Sequence, residues 1–237
     1  MVGSGAIAFG EKIDVCVPTG NFGNIFAGYI AKLMGLPIEK LICASNVNNV
    51  LTDFLENGTY DKNRSFYSTI SPSMDILISS NLERLLFTVS GQRKTAEYMK
   101  SLAENGKYTV DADVFEEIKR SFIGIYTNDD ETRKTISYTF KRKNYLIDTH
   151  TSVAMKAATE YISTHEAERK VLVVSTASPY KFAKDVYPSL SSEKNPSDTE
   201  APSVLSDLTG TEIPAPLSAL CEKTILHPDT IGKEDMD

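Results

Sequence analysis

Short apolar runs alternate with helically spaced apolar positions along the chain. Residues 13–17 form an apolar run that Pro18 ends, and apolar side chains then recur between residues 25 and 34 at the spacing of one helix face. Residues 41–44 form the next apolar run. A strand, a helix and a second strand within about thirty residues predict a βαβ unit, whose crossover is right-handed in nearly all known cases.

The same alternation returns in the second half of the chain. We expect strands at residues 122–126, 145–147 and 171–174, and helices at 129–141 and 151–162. The run at 171–174 is continuous and mostly β-branched, which is typical of a central parallel strand. The whole pattern predicts an α/β fold with an open, mostly parallel sheet and helices on both faces.

A mostly helical insertion near residues 74–121 separates the two blocks. Ser80 followed by Glu83 fits a capping box at the start of a helix. A further helical stretch runs from Gly91 towards Gly106.

The composition changes after residue 188. Residues 189–202 are rich in Ser, Glu, Pro and Asp and predict a loop or disordered linker. The stretch at 213–217 is interpreted as an extended arm along the surface. We therefore divide the chain into an α/β domain at 1–188 and a linker with a C-terminal arm at 189–237.

Composition and charge limit the classes of partner. The chain has 237 residues, 41% of them hydrophobic and 24% charged, as in an ordinary soluble globular protein. Its net charge of −7 argues against a nucleic-acid partner, because phosphate contacts need a basic face. The basic patch at residues 141–143 is interpreted as a solvated helix end. With no apolar stretch of transmembrane length and no signal-peptide pattern, we expect a cytoplasmic protein without a membrane partner.

The cysteines do not suggest a site. There are three, Cys16, Cys43 and Cys221, and no two of them form a CxxC pair. This spacing argues against a zinc cluster and against a disulfide framework, so no metal ligand is predicted.

One loop between a strand and a helix has the chemistry of an anion site. The first amides of a helix lack intrahelical acceptors, the helix dipole adds positive charge there, and glycine lets the backbone approach an anion. These conditions suit a phosphate monoester, and the residues that meet them are Gly20, Asn21, Phe22, Gly23 and Asn24. The glycine spacing alone also fits a tight βα turn with asparagine as the N-cap. The loop matches neither the Walker pattern nor the dinucleotide fingerprint, which disfavours ATP and NAD.

Several motifs bear a family resemblance. The run at residues 17–24 resembles the phosphate-binding loop of threonine synthase, a pyridoxal-phosphate enzyme of the tryptophan-synthase-β fold type, also called fold type II. Further stretches similar to that family lie at residues 41–46, 59–61, 71–76, 79–86, 175–182 and 213–217. The resemblance covers most of residues 10–228.

The resemblance implies a fold and a reaction. The fold would be the large cofactor-binding domain of fold-type II enzymes, and the reaction converts O-phospho-L-homoserine and water to L-threonine and phosphate with pyridoxal phosphate as electron sink. In the family a lysine inside a Phe-Lys-Asp motif forms a Schiff base with the cofactor. Here Phe182 is followed by Ala183 and Lys141 by Arg142, so the motif is absent. We therefore expect a C-terminal fragment, incomplete at its N-terminus, with no catalytic residue of its own and no activity alone.

The resemblance also implies residue roles. Residues 20–24 would hold the cofactor phosphate, and Thr176 would hydrogen-bond the pyridine nitrogen. Thr176 could instead cap the following helix. Ser178 with Pro179 already supplies an N-cap and a first residue for that helix, so we favour the cofactor role.

Asn81, Arg84 and His150 are candidate substrate-site residues. Asn81 and Arg84 suit a phosphate or carboxylate, since arginine binds such groups bidentately; a surface ion pair is the alternative. His150 lies in a segment similar to the family's acidic-Pro-His pattern, with Thr149 where proline is usual. A locally hydrogen-bonded histidine at a helix start is the alternative interpretation.

Three functional hypotheses follow. The chain is part of a threonine synthase, or of a threonine-synthase-like phospholyase acting on another phosphorylated amino compound, or a non-catalytic module that binds pyridoxal phosphate or phosphate. The missing lysine motif motivates the third. An apolar face exposed by the missing half would favour self-association.

Overall fold

The computed structural model describes residues 1–165, 167–224 and 226–235 of the chain. The strands are β1 (Ile13–Pro18), β2 (Ile38–Ser45), β3 (Thr59–Asp61), β4 (Lys107–Thr109), β5 (Phe122–Tyr126) and β6 (Val171–Val173). The helices are α1 (Gly23–Leu33), α2 (Val50–Asn57), α3 (Leu82–Asn105), α4 (Ala112–Ser121), α5 (Asp129–Lys143), α6 (Thr149–Thr164), α7 (Ala183–Val186), α8 (Ala201–Thr209) and α9 (Ala215–Ser218).

The central sheet confirms the predicted fold class. Its strands lie in the order β5-β2-β1-β6, and all of these pairings are parallel. β3 and β4 form a separate antiparallel pair, and helix α3 lies between them in the chain. The sheet is therefore open and mostly parallel.

One predicted strand does not form, and another forms at an unexpected position in the sheet. Residues 145–147 form no strand, because Leu146 and Ile147 fill a small core beside α5 and the C-terminal helices. A three-residue apolar run has no periodicity that would separate these two outcomes. The run at 171–174 forms β6, which lies at the edge of the sheet, since among the described residues only β1 pairs with it.

The side chains of β1 and β2 alternate between the two faces of the sheet, as the strand repeat of two requires. Val15 and Leu41 pack against helices α1, α2 and α3 on one face. Cys16 and Ile42 pack against α6 on the other face, where the small side chain of Ala157 is fully buried. Helices therefore cover both faces of the sheet, as expected.

The C-terminal segment contributes to a third cluster of buried side chains. Residues 191–197 have no regular structure, in agreement with the predicted linker, but α8 then places Ala201 and Leu205 in a core with Ile136 of α5. The arm expected to be extended at 213–217 becomes helical at α9. The division of the chain at residue 188 stays a prediction.

No helix in the described ranges is long and apolar enough to cross a membrane. The cytoplasmic location, the lack of a nucleic-acid partner and the self-association stay predictions.

The contact between β5 and α2 depends on a glycine. A Cβ atom on Gly124 would lie 2.7 Å from the Cα atom and 3.1 Å from the carbonyl oxygen of Thr52. These are backbone atoms of α2, which cannot rotate away. We expect Gly124→Ala to lower the free energy of unfolding by about 1–3 kcal/mol, the usual cost of overpacking.

Urea unfolding followed by circular dichroism measures this loss. Gly3→Ala is the matched control, because a Cβ atom there meets nothing within 4 Å. A Gly124→Ala variant as stable as the Gly3→Ala variant would contradict the close packing of α2 on β5.

Candidate functional site

A cavity of about 280 Å³ opens beyond the carboxyl ends of the neighbouring strands β1 and β6. This is the end of an open parallel sheet at which ligands usually bind. The residues that line the cavity are 18–24, Ser73, Met74, Asn81, His150, Thr176, Ala177 and Lys181. Of the residues singled out from the sequence, the cavity brings together the loop 20–24, Asn81, His150 and Thr176.

Phe22 sets the geometry of the loop. It has a left-handed backbone, with φ 62° and ψ 5°, and occupies the N-cap position of α1. A bulky residue rarely adopts this conformation, and the strain persists only where the surroundings impose it. The phenyl ring is 1% exposed and packs against the ring of Phe122, with 5.5 Å between centroids. Burial of the ring thus holds the backbone in the left-handed turn.

The loop presents a row of backbone donors without acceptors. Within the described part of the chain, the amides of residues 20–25 donate no hydrogen bond. The first bonded amide is that of Phe26, which donates to the carbonyl oxygen of Phe22 at 3.1 Å. The first turn of α1 also contains no acidic residue. These features make the loop a site for an anion.

A neighbouring segment holds the loop from outside. The hydroxyl of Ser79 donates to the carbonyl of Gly20 at 2.9 Å, and the side-chain amide of Asn81 donates to the carbonyl of Asn21 at 2.8 Å. The amide and hydroxyl of Ser80 both donate to Oδ1 of Asn21, at 2.6 and 2.8 Å. These donors satisfy the carbonyl oxygens, which leaves the amides as the groups without protein partners.

These contacts correct the predicted capping box. Ser80 does not cap α3, which begins at Leu82 with Asn81 at the N-cap position and no side-chain cap. The hydroxyl of Ser80 bonds to Asn21 instead, since the loop at residues 20–24 offers it a tertiary acceptor. A local motif cannot reveal a partner that lies so far away in the sequence.

Tyr60 anchors the segment that holds the loop. Its hydroxyl donates to the carbonyl of Leu77 at 3.0 Å and accepts from the amide of Ser79 at 2.7 Å. Burial raises the pKa of Tyr60 to about 12, so the hydroxyl keeps the proton that it donates. The loop is therefore connected to the hydrophobic core through Tyr60 as well as through Phe22.

Gly20 allows one wall of the cavity to lie close to the loop. A Cβ atom there would be 2.8 Å from the carbonyl oxygen of Ser73 and 2.9 Å from the Cα atom of Met74. The space beside this glycine is therefore filled by the protein's own backbone. At Gly23 a Cβ atom would be 3.4 Å from Nδ2 of Asn81, an ordinary contact.

His150 is buried and its ring has protein partners on both nitrogens. Nε2 accepts a hydrogen bond from the amide of Ser73 at 3.2 Å, and Nδ1 lies 3.1 Å from Oδ1 of Asp148. Because Nε2 accepts a hydrogen bond and Nδ1 faces a carboxylate, the proton of the neutral ring is on Nδ1. His150 therefore supports the cavity wall at Ser73.

Asp148 is the N-cap of α6 and holds His150 in place. Its carboxylate accepts hydrogen bonds from the amides of His150 and Thr151, at 2.8 and 3.2 Å, and from the hydroxyl of Thr151. Burial alone would raise the pKa of this carboxyl, but the hydrogen bonds from His150 and Thr151 outweigh that effect and lower it. Asp148 is therefore a stable anion beneath His150.

Thr176 is exposed and lies three residues beyond the end of β6, in the wall of the cavity. Ser178 caps the short helical turn Pro179–Phe182, because its hydroxyl accepts a hydrogen bond from the amide of Tyr180 at 3.3 Å. The predicted cap is thus confirmed. The hydroxyl of Thr176 makes no hydrogen bond to the described residues and is available to a ligand.

Arg84 does not reach this cavity. Its side chain is exposed and lines a separate surface depression with Phe87 and Thr88. Conversely, sequence reasoning missed Lys181, which lines the cavity. Lys181 lies in the stretch 175–182 that bears the family resemblance. Its position only five residues after Thr176 could have marked it as a candidate site residue.

The described residues contain no group of three or more His, Cys, Asp or Glu side chains that could hold a metal ion. Cys16 and Cys43 are buried, and the side chain of Cys221 lies outside the described part of the structure. Burial raises the pKa of Cys43 to about 12, and that of Cys16 is raised as well. Neither thiol is therefore a nucleophile at neutral pH.

Comparisons with known proteins assign the chain to a family. Residues 151–218 match the family model described as threonine synthase, C-terminal. Over 202 residues the chain is 39% identical to the threonine synthase of Saccharomyces cerevisiae, a match that covers 78% of this chain and 39% of the yeast protein. The chain belongs to the threonine synthase family.

Two further relatives extend the match. The chain is 40% identical over 194 residues to threonine synthase-like 1 of Homo sapiens, which covers 80% of this chain and 26% of the human protein. A crystal structure of threonine synthase from Brucella melitensis with bound pyridoxal phosphate superposes with a TM-score of 0.74 at 36% identity, covering 88% of this chain and 43% of that one. The chain thus spans less than half the length of these members of the threonine synthase family.

The match to the family model extends into the C-terminal helices. The matched region of the threonine synthase model includes Thr176, Lys181 and helix α8. The burial of Leu205 in the core next to α5 fits a segment that belongs to the family domain.

The lowered pKa of Asp148 predicts how stability depends on pH. Because the pKa is lower in the folded protein than its ordinary value of 3.8, Asp148 stabilises the fold above about pH 4 and loses this effect as the pH falls. We expect Asp148→Asn to reduce the free energy of unfolding by about 1–3 kcal/mol at pH 7, the usual cost of a lost buried hydrogen-bond partner, and by less at pH 3.

Urea unfolding of both proteins at pH 7 and pH 3 measures the difference. The exposed Asp207, replaced by Asn, is the control for the change of charge. If Asp148→Asn lost the same unfolding free energy at both pH values, the charge of the carboxylate would not be what stabilises α6.

Proposed function

We propose that this chain binds pyridoxal phosphate in the cavity at residues 20–24 and serves a threonine synthase, which converts O-phospho-L-homoserine and water to L-threonine and phosphate. The observation that carries the proposal is the row of amides without acceptors at the N-terminus of α1. The relationship to a threonine synthase with bound pyridoxal phosphate supports it.

The residues present fit this cofactor. A phosphate monoester needs several hydrogen-bond donors and positive charge, which the amides and the helix dipole provide. No carboxylate among the described residues lines the cavity to repel it. The volume of about 280 Å³ lies just below the usual range for sites that bind small molecules, which is roughly 300–1,000 Å³.

Thr176 would hold the other end of the cofactor. It follows β6, while the phosphate loop follows the adjacent strand β1, so the two partners face one cavity from neighbouring strands. Its free hydroxyl would hydrogen-bond the pyridine nitrogen without adding a charge. When bound, pyridoxal phosphate supplies an electron sink for bond cleavage in an amino acid.

His150 would position the site rather than move protons. Its Nε2 is engaged by the amide of Ser73, and its Nδ1 proton by Asp148. These contacts hold Ser73 and Met74 against Gly20, and thereby keep the cavity shaped around the loop.

We further propose that a segment outside these 237 residues supplies the lysine that links covalently to the cofactor. The motivation is the absence of a Phe-Lys-Asp motif from the sequence. On this proposal the chain binds the cofactor reversibly and does not turn over phosphohomoserine by itself.

A second candidate is a threonine-synthase-like phospholyase that acts on a different phosphorylated amino compound. The identity to human threonine synthase-like 1, 40%, is within one percentage point of the identity to the yeast threonine synthase, 39%. The two candidates share the cofactor and differ in substrate. Competition among O-phospho-L-homoserine, phosphoserine and phosphoethanolamine for the cofactor-loaded chain separates them, because a threonine synthase should prefer the first.

Cofactor binding is the first prediction from this proposal. We expect the chain to bind pyridoxal phosphate saturably, and to bind pyridoxal at least about tenfold more weakly, since charge-assisted hydrogen bonds to phosphate are lost. Absorbance and calorimetric titration measure both, with inorganic phosphate as competitor.

Borohydride reduction followed by mass spectrometry is the control for covalent attachment. Equal affinities for pyridoxal phosphate and pyridoxal would contradict the phosphate role of the loop. A stable adduct on one lysine of this chain, at one cofactor per chain, would contradict the proposal that a segment outside these residues supplies the lysine.

Thr176 gives the second prediction. We expect Thr176→Val to weaken pyridoxal phosphate binding by about tenfold, the usual effect of one lost hydrogen bond, and Thr176→Ser to bind within about threefold of the wild type. The same titration measures both variants. If Thr176→Val binds as tightly as Thr176→Ser, the hydroxyl has no role in holding the cofactor.

A further inference from the structure

The wall of the cavity carries one cationic side chain and no carboxylate among the described residues. Among the described residues that line it, the titratable side chains are His150 and Lys181. The carboxylate of Asp148 contacts His150 and is completely buried behind it. Lys181 is therefore the one permanent charge on the cavity wall within the described part of the chain.

Lys181 has no carboxylate partner among the described residues within ion-pair distance. Lys184, one turn further on, differs in this respect, because its ammonium lies 3.1 Å from the carboxylate of Asp198. The unpaired ammonium of Lys181 thus remains available to an anion in the cavity.

A stack of rings holds Lys181 at the cavity. Its ammonium lies 5.3 Å from the centroid of the Phe182 ring, a cation–π contact. The Phe182 ring in turn packs against the ring of His150, with 4.5 Å between centroids. Since His150 is fixed by Asp148 and Ser73, the stack connects Lys181 to the rigid wall of the site.

The cavity therefore has two separate features that attract anions. The amides of residues 20–25 follow β1, and Lys181 follows the neighbouring strand β6. Pyridoxal phosphate has a single phosphate group, which on the proposed function the loop would hold without Lys181. A second positive group is explained if the substrate carries its own phosphate.

We propose that Lys181 is a substrate-binding residue whose ammonium pairs with the phosphate ester of a phosphorylated amino acid. This inference rests on the proposed function, which assigns the other anion site to the cofactor.

Calorimetric titration of the 237-residue chain, saturated with pyridoxal phosphate, tests the proposal with O-phospho-L-homoserine and with L-homoserine as probes. We expect Lys181→Met to bind O-phospho-L-homoserine about tenfold or more weakly, the effect of losing one charged hydrogen bond. Lys181→Arg should stay within about threefold of the wild type, because it keeps the charge. L-homoserine should bind the wild type and Lys181→Met alike.

Lys184→Met is the matched control, because it removes the same charge one turn away from the cavity. Lys181 is exposed, so its replacement should not unfold the chain, which circular dichroism verifies. Equal binding of O-phospho-L-homoserine by Lys181→Met and Lys184→Met would overturn the proposal. So would a wild type that does not discriminate between the phosphorylated and unphosphorylated probes.

Two further outcomes separate this inference from the proposed function. If Lys181→Met loses affinity for pyridoxal phosphate itself by the same factor, then Lys181 binds the cofactor phosphate and the second anion site is refuted. A borohydride-reduced adduct on Lys181 would likewise refute the ammonium role. A wild type that binds O-phospho-L-homoserine through Lys181 but not pyridoxal phosphate would instead contradict the proposed cofactor and leave the Lys181 assignment standing.

Discussion

The buried ring of Phe22 is the interaction on which the site depends. With its ring packed against Phe122 in the core, the residue adopts a left-handed backbone that no local preference favours. That turn starts α1, and the loop that contains it lines the cavity with amides that donate no hydrogen bond to the described residues. The strain is of order 1–3 kcal/mol, and burial of a phenyl ring is large enough to offset it.

The second requirement is that the opposite wall stays in contact with the loop. Asp75 accepts hydrogen bonds from the side chains of Asn46, Asn48 and Thr69, at distances between 2.7 and 3.1 Å, and so fixes the segment that leads into Ser73. His150 then bonds the amide of Ser73 from the other side. A polar network of this kind is rigid because each buried group has a partner, and rigidity is what a preorganised binding site needs.

Electrostatics complete the arrangement. The chain as a whole has a net charge of −7, yet the cavity offers amides, an ammonium and a neutral hydroxyl. The carboxylate of Asp148 lies behind His150, where it is completely buried and the hydrogen bonds that it accepts stabilise it as an anion. The site therefore attracts anions although the protein repels them, because close groups outweigh distant screened charges.

Much of the architecture follows from the sequence pattern. The apolar runs and the helical spacing determined the α/β class, the strands β1, β2 and β5, and the helices α1, α5 and α6. They also determined the position of the loop at residues 20–24 between a strand and a helix. These features depend on local periodicity and on residues adjacent in the chain. Tertiary structure decided the rest. Ser80 bonds to Asn21 rather than capping a helix, and β6 lies at an edge of the sheet. Leu146 and Ile147 are buried in a core instead of forming a strand. Arg84 lies outside the cavity, whereas Lys181 lines it. Each of these outcomes depends on groups distant in the sequence that meet only in the folded chain, and a one-dimensional pattern does not encode which of them will be neighbours.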